Sequence, residues 1–332
     1  MHLIDFTIDS RYTNRWMHPD SQATGEEITT AIKKSIAKLL NIGPGNIYLV
    51  GNIKPWYFLT YLFSKPSDRY ISVILENENL DLISFSRVIR RLGYTTHYIN
   101  IPRRLDETIF KNLPIDRVHS IATTLIQPIT GRRVQIENIS RYLSSNGISL
   151  YIDGSYATGA LNIDIPKYGI DIYLSEGCYW LGGTRDTGFI YIRDGLLDLP
   201  NVETPLVGDS FIETISLQQP INKYASLKKE IEEILRIGPG KVKDHILNLT
   251  GIMIDGLNRI GYRVYTPLER EYRGGIVTIE AGEKAKEISR WLKDRHSIYL
   301  DKIGSKLRIS LKRWHTETDV NRFLETMKKL GF

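Results

Sequence analysis

Short apolar runs alternate with amphipathic stretches through the first half of the chain. Between the runs, the apolar residues of 83–92 and 136–143 recur every three or four positions, as on one face of a helix, and a glycine follows each stretch. Repeated alternation of strand and helix predicts an α/β fold with a mainly parallel sheet that helices cover on both faces. Four runs are predicted to be its buried strands: 46–50, 70–75, 120–126 and 148–152.

The pattern changes after about residue 205. Residues 209–221 are polar and typical of a loop, and a long helical pattern follows over 224–237 until Gly238-Pro-Gly240 breaks it. A second helix is predicted from Lys241. The end of the chain then alternates predicted strands and helices, at 275–281, 283–296, 307–311 and 318–330.

At 332 residues the chain is long enough for two domains. The change in pattern predicts three parts: an N-terminal arm over 1–20, a large α/β domain over 21–205, and a small α+β C-terminal domain over 206–332.

Composition and charge narrow the function classes. The formal net charge is +6, but the basic pairs lie apart in the sequence, so we predict no nucleic-acid partner. No apolar run approaches the ~20 residues of a membrane span, and the first residues lack the features of a secretory signal. The single cysteine, Cys178, excludes an intramolecular disulfide and a cysteine-based metal cluster. We therefore predict a cytoplasmic protein without a membrane partner or a metal, and the abundance of Ile with Lys, Arg and Glu is typical of a thermophile.

The segment 171–193 carries the most specific chemistry. It begins with Asp171, runs through Glu176-Gly-Cys-Tyr-Trp180 and a glycine-rich turn, and ends in Thr187-Gly-Phe-Ile-Tyr-Ile192. This order resembles the active-site segment of the class V aminotransferases, the cysteine desulfurase and kynureninase relatives among the fold-type I enzymes that use pyridoxal phosphate (PLP). The flanking segments 150–165 and 307–324 resemble the same family. The resemblance implies a fold-type I PLP-transferase-like large domain with a small α+β C-terminal domain.

In that family a lysine in this segment carries PLP as a Schiff base. Here the corresponding position is Tyr179, and a phenol cannot form an imine. The resemblance therefore implies no catalytic lysine at this position.

At the positions of the family's other cofactor contacts, some residues of this chain could bind PLP and others could not. Asp153 stands where the family's aspartate holds the pyridine nitrogen, although a carboxylate there could instead cap the next helix. Asn52 lies in the turn that would bind the phosphate. Glu176 replaces a phosphate-binding serine and would repel the phosphate, and Cys178 replaces a histidine. Cys178 is either a nucleophile or a small buried thiol.

Further positions of the resemblance also lack the family's donors. Tyr156 stands in place of a glutamine or histidine donor, Asn77 in place of the stacking histidine, and Pro128 in place of a donor to the ring hydroxyl. Arg308 persists where the family binds a substrate carboxylate, and a structural ion pair is the alternative. Together these substitutions predict that no cofactor is bound, or that PLP binds only weakly and without a covalent link.

Three functions follow from this interpretation. The first is a degenerate homologue that has lost covalent PLP catalysis and has a structural or regulatory role, as a homodimer or as a heterodimer with an active relative. The second is a PLP- or PMP-dependent transferase or lyase that holds its cofactor non-covalently. The third is a binding protein for an acidic metabolite. Sulfur transfer is not expected, because residues 298–307 contain no cysteine.

Overall fold

The computed structural model describes residues 20–51, 53, 71–75, 80–91, 94–196 and 221–330, with the backbone alone for 20–26 and 221–222. The strands β1 to β10 of these residues are Ile47–Val50, Ile71–Leu75, Thr95–Ile99, Val118–Thr124, Ser149–Asp153, Ile172–Glu176, Gly188–Ile192, Ile276–Glu280, Asp301–Ile303 and Lys306–Ser310. The helices α1 to α8 are Asp20–Leu40, Leu80–Arg91, Ser140–Ser145, Ile165–Tyr168, Ile221–Ile237, Pro239–Arg259, Ala285–His296 and Glu317–Lys328.

Seven strands form one sheet in the order β1-β7-β6-β5-β4-β2-β3. Strands β2 to β6 pair in parallel, and β7 pairs antiparallel with both of its neighbours. The parallel strands carry fully buried apolar runs, as expected where both faces of a sheet are covered. Their carboxyl ends therefore meet at one edge, where ligands bind in open α/β sheets.

Each face of this sheet has its own apolar core. One face packs against Leu82, Phe85 and Ile89 of α2. The opposite face packs against α1, α5 and the start of α6, and its core includes Ile36 and Leu227. This covering of both faces confirms the α/β architecture expected from the alternating pattern.

The end of the chain forms a second, three-stranded antiparallel sheet in the order β8-β10-β9. Helices α6, α7 and α8 cover it and share a third core with it, which contains Leu257, Leu292 and Phe323. The predicted helix break is also present: α5 ends at Ile237, Gly238 has a φ of 100°, and α6 begins at Pro239.

Most predicted elements lie within a few residues of the observed ones. The stretch 136–143 differs, because it forms a short 3-10 turn over Ile136–Asn138 followed by α3. The division of the chain at residues 20 and 205 stays a prediction, since 1–19 and 197–220 lie outside the described residues. None of the helices that the structure describes is both long enough and apolar enough to cross a membrane.

Candidate functional site

Asp153 is the last residue of β5, at the middle of the edge where the parallel strands end. Its side chain is buried, and Oδ1 accepts a hydrogen bond of 2.8 Å from the backbone N–H of Ser155. The side chain points to the α2 face, where a small cavity lined in part by Leu82 and Phe85 adjoins it. The carboxylate thus caps a turn, since no helix follows β5 directly, and it is buried at the edge where the parallel strands end.

Thr124 lies beside Asp153 on the adjacent strand. The two residues are register partners of the parallel pair β4–β5, so both side chains project from the same face. The Thr124 side chain is fully buried, and its Oγ1 has no hydrogen-bond partner among the residues that the structure describes. Buried hydroxyls are rarely unsatisfied in folded proteins, so this atom indicates a missing partner at this edge. No sequence pattern marks this residue, because threonine is common in strands.

The turn after Asp153 brings Tyr156 to the segment that begins at Glu176. Gly159, with a φ of 86°, closes this turn against the backbone carbonyl of Trp180, where any Cβ would clash. Two further hydrogen bonds hold the turn in place. The Glu176 N–H donates to Ser155 Oγ at 3.0 Å, and the turn hydroxyl of Thr158 meets Tyr173 Oη at 2.8 Å.

Tyr156 and Tyr179 stack on each other beyond this turn. Their ring centres are 4.6 Å apart with an angle of 28° between the planes, and Trp180 meets Tyr156 edge-on at 5.9 Å. Burial, followed by the charge and hydroxyl of Tyr156, raises the pKa of Tyr179 above its ordinary value. Tyr179 is therefore a neutral phenol at physiological pH. Its assignment to the family's lysine position stays a prediction.

Glu176 and Cys178 flank this stack. The Cys178 thiol lies 3.8 Å from Glu176 Oε2, and burial together with the Glu176 charge raises its pKa above the ordinary value. The thiolate is thereby disfavoured, which agrees with the small buried thiol and not with a nucleophile.

Arg308 reaches the same place from β10. Its guanidinium carbon lies 5.4 Å from the centre of the Tyr156 ring, on the side away from the C-terminal core. Nη2 donates to Asp301 Oδ2 at 2.9 Å, and Nη1 donates to the Pro128 carbonyl at 2.8 Å. Burial acts to lower the pKa of Arg308, but Asp301 and Tyr156 raise it overall. The structural ion pair is therefore present, and binding of a substrate carboxylate by Arg308 stays a prediction.

Besides Thr124, two residues of this region were missed by the sequence analysis. Gln127 precedes Pro128, is buried, and accepts a hydrogen bond of 3.1 Å from the Thr130 hydroxyl. Its amide is a polar group where Pro128 offers none. Lys312 follows β10 and places its Nζ 5.8 Å from the centre of the Trp180 ring. Its proximity depends on how two distant segments pack, which no local pattern reveals.

Two other predicted residues, Asn52 and Asn77, lie outside the described residues. The structure therefore leaves the phosphate turn and the stacking position as predictions. It brings together the remaining ones: Asp153, Tyr156, Glu176, Cys178, Tyr179 and Arg308. In the part of the chain that the structure describes, no cluster of His, Cys, Asp or Glu has the arrangement of a metal site.

Comparison with known proteins identifies the family to which these features belong. The family model "Aminotransferase class-V" matches residues 64–323. Among curated proteins, isopenicillin N epimerase of Streptomyces clavuligerus is 25% identical over 231 residues, which is 60% of this chain and 57% of that protein. A probable cysteine desulfurase of Xylella fastidiosa is 24% identical over 262 residues, which is 72% of this chain and 62% of that protein. The chain thus spans less than two thirds of the length of these relatives.

Solved structures show the same fold. An apo cysteine desulfurase from Thermococcus onnurineus superposes with a TM-score of 0.84 at 19% identity, over 96% of this chain and 87% of that one. A variant of C-DES, in which a lysine is replaced by alanine and glycine is covalently linked to the PLP cofactor, superposes with a TM-score of 0.84 at 16% identity, over 96% of this chain and 90% of that one. The expected fold-type I architecture is confirmed.

The expectation that no cofactor is bound is wrong. The matching family model is that of the class V aminotransferases, and the C-DES structure, which has the same fold, holds PLP. The physical reason is that PLP can be held by several groups besides an imine, so the absence of one lysine does not exclude the cofactor. A buried carboxylate and an unpartnered hydroxyl, Asp153 and Thr124, fit the polar edge of a pyridine ring.

Proposed function

Because the chain belongs to the class V aminotransferase family, we propose that it is a PLP-dependent transferase or lyase whose cofactor is not covalently linked to residue 179. The buried Asp153 carboxylate at the carboxyl end of β5 carries this proposal. When bound, PLP supplies the electron sink that lets bonds at the α-carbon of an amino substrate break. The conclusion rests on the described residues of the sheet edge.

Asp153 is suited to hold a protonated pyridine nitrogen. Its Oδ1 is oriented by the Ser155 N–H, and burial in a water-poor site strengthens a charge-assisted hydrogen bond. Thr124 Oγ1, beside it, supplies a further polar contact on the same face. These two residues would position the ring without any help from residue 179.

The loss of one lysine is compatible with cofactor retention in this fold. The C-DES structure holds PLP linked to glycine in a variant in which a lysine is replaced by alanine. We infer that the phenol of Tyr179, stacked on Tyr156, forms an aromatic wall of the site. As a neutral phenol it can donate a hydrogen bond, but it cannot act as an amine.

Equilibrium binding of PLP tests this proposal. Asp153→Asn keeps an acceptor for the Ser155 N–H but removes the charge, so the fold should be retained. We expect PLP affinity to fall by about tenfold to a hundredfold, since hydrogen bonds to charged groups contribute about 1.5–3 kcal/mol. The readouts are the visible absorbance of bound PLP and quenching of tryptophan fluorescence. Asp194→Asn, at an exposed position after β7, is the matched control.

The proposal is wrong if the wild-type protein shows no saturable binding of PLP. It is also wrong if Asp153→Asn and Asp194→Asn bind PLP as tightly as the wild type. In either case the buried carboxylate would be only the cap of the turn that follows it.

A second candidate is a structural or regulatory homologue that has lost catalysis. It is favoured by the Tyr156–Tyr179 stack and by Glu176, whose carboxylate would disfavour a nearby phosphate. Such a protein would act as a homodimer or as a heterodimer with an active relative. It predicts PLP binding without turnover of any amino donor, and a change in the activity of a co-purified relative. Native mass spectrometry with a turnover screen separates it from the first proposal.

A binding site for an acidic metabolite is the third possibility, and Arg308 would anchor it. The Arg308 guanidinium already donates to Asp301 and to Pro128. An incoming carboxylate would therefore have to replace Asp301, whose side chain is 61% exposed and free to move away. Stabilisation of the protein by dicarboxylates in a thermal-shift assay, lost in Arg308→Met, would support this function.

A further inference from the structure

Lys312 is placed beside the aromatic segment that ends at Trp180. It follows β10 and is partly buried. Its Nζ lies 5.8 Å from the centre of the Trp180 ring and 5.1 Å from that of Trp314. The backbone fixes this placement, because Trp180 Nε1 donates to the Leu311 carbonyl at 2.7 Å. Because Trp180 directly follows Tyr179, Lys312 lies beside the segment that contains Tyr179.

The ammonium of Lys312 is enclosed without a counter-ion. Among the described residues, no carboxylate oxygen lies within 4 Å of its Nζ. Burial lowers the pKa of Lys312 below its ordinary value, and Cys178 and Asp301 act weakly in the opposite direction. Desolvation enlarges the neutral fraction of a lysine, which is the form that attacks a carbonyl, whereas the two ring contacts favour the ammonium.

Two titratable groups of the candidate site act on the pKa of Lys312. Cys178 lies on the segment after β6, and Asp301 is the partner of Arg308 on β9. His315 accepts a hydrogen bond at its Nδ1 from the backbone N–H of Lys312. Arg313, the next residue, pairs with a carboxylate of α5 and also donates to the Trp180 carbonyl at 3.5 Å. The Lys312 amine therefore lies beside Trp180, the residue that directly follows Tyr179.

We propose that Lys312 supplies the amine that captures the aldehyde of PLP, in place of the amine that Tyr179 cannot provide. The Nζ lone pair adds to the C4′ carbonyl carbon, a C=N bond forms, and the carbonyl oxygen leaves as water with the two amine protons. No oxidant or reductant is required. The inference rests on the proposed PLP binding, and it assigns the covalent link to a residue of the C-terminal sheet region.

Lys306, the first residue of β10, provides a matched comparison. It lies over an aromatic ring too, with its Nζ 4.6 Å from the centre of the Tyr265 ring. That ring lies near the start of β10, at the end opposite to Lys312, where Tyr265 Oη donates to the carboxylate of Glu280, the register partner of Lys306. Lys306 thus shares an aromatic contact with Lys312, but its ring partner is Tyr265 and not the residue that follows Tyr179.

The test is reductive trapping followed by peptide mapping. Wild-type protein is incubated with PLP, treated with borohydride and digested, and the pyridoxylated peptide is identified by mass spectrometry. We expect the adduct on Lys312. Lys312→Met, which keeps an unbranched apolar stem, should lose this adduct but still bind PLP in the fluorescence assay, whereas Lys306→Met should give the wild-type adduct. Adduct formation in wild type should reach half its maximum at a lower pH than labelling of exposed lysines.

Each outcome decides the inference. PLP that is retained without an adduct, or with an adduct at another lysine, overturns the role of Lys312 and leaves the proposed cofactor binding intact. Absence of PLP binding in the wild-type protein overturns both. Lys312→Arg, which keeps the positive charge, serves as a second variant. If Lys312→Met melts early but Lys312→Arg melts like the wild type and still forms the adduct, the inference is wrong.

Discussion

Placing a lysine at residue 179 is the most direct test of the assigned position. In Tyr179→Lys the chain regains the amine that the resemblance places there. If residue 179 does face the cofactor, borohydride should trap PLP at this new lysine. The adduct would then divide between residues 179 and 312, or move entirely to 179.

The cost in stability can be worked out from the stack. The Tyr179 and Tyr156 ring centres are 4.6 Å apart, and such pairs contribute about 0.5–1.5 kcal/mol beyond burial of their area. Loss of the half-buried ring removes a further ~1 kcal/mol of apolar contact, part of which the lysine stem recovers. We therefore expect Tyr179→Lys to lower the free energy of unfolding by about 1–3 kcal/mol.

Chemical denaturation and peptide mapping measure the two effects separately. Tyr179→Met is the matched control, because it removes the ring and keeps an unbranched side chain but offers no amine. It should be destabilised about as much as Tyr179→Lys and give no adduct at 179. The reasoning is refuted if Tyr179→Lys retains PLP yet forms no adduct at 179, since the position would then not face the cofactor. It is also refuted if the loss of the ring costs nothing.

Two further predictions concern the scaffold. Hydrogen bonds, first from the Tyr265 hydroxyl, lower the pKa of Glu280 to about 2, so its contribution to stability is present above pH 4.5 and is lost as the pH falls towards 2. Glu280→Gln should therefore weaken the dependence of the melting temperature on pH in this window. An unchanged dependence would contradict the lowered pKa of Glu280. Gly159→Ala places a Cβ against the Trp180 carbonyl at a φ of 86°, so denaturant titration should show a loss above about 1 kcal/mol. Gly45→Ala, which meets no atom within 4 Å, should lie within about 1 kcal/mol of the wild type.

Much of the fold was predictable because its signals are local. The buried strands of the parallel sheet are continuous apolar runs, and the helix-breaking sequence Gly238-Pro239-Gly240 lies where α5 ends and α6 begins. The stretch 136–143 was harder, since three- and four-residue spacing is shared by a 3-10 turn and a short helix. Local pattern does not distinguish them when the segment is brief.

The site was predictable only where it follows strand ends. Asp153 could be placed because it terminates a recognisable strand. Lys312 could not, because its surroundings come from Trp180, which is 132 positions earlier in the sequence. Counting lost donors also misled the cofactor prediction. Each substitution removes one contact, but the wall formed by Asp153 and Thr124 depends on strand register, which substitutions elsewhere leave unchanged.

The position of Arg308 links the ion pair to the proposed chemistry. Arg308 and Asp301 are register partners on the hairpin β9–β10, so their pairing is set by the strands and is present before any ligand arrives. Asp301 is exposed, whereas Arg308 is largely buried. If a substrate carboxylate replaced Asp301, the aspartate would become hydrated, and the buried guanidinium would keep an anionic partner. The guanidinium would stay fixed by the Pro128 carbonyl and the Tyr156 ring. A substrate carboxylate bound there would lie next to the rings of the Tyr156–Tyr179 stack and on the same side as Lys312. The ion pair thus keeps the cation oriented in the free protein, and we infer that the aromatic stack, and not an amine at residue 179, would form the wall against which an amino acid is held.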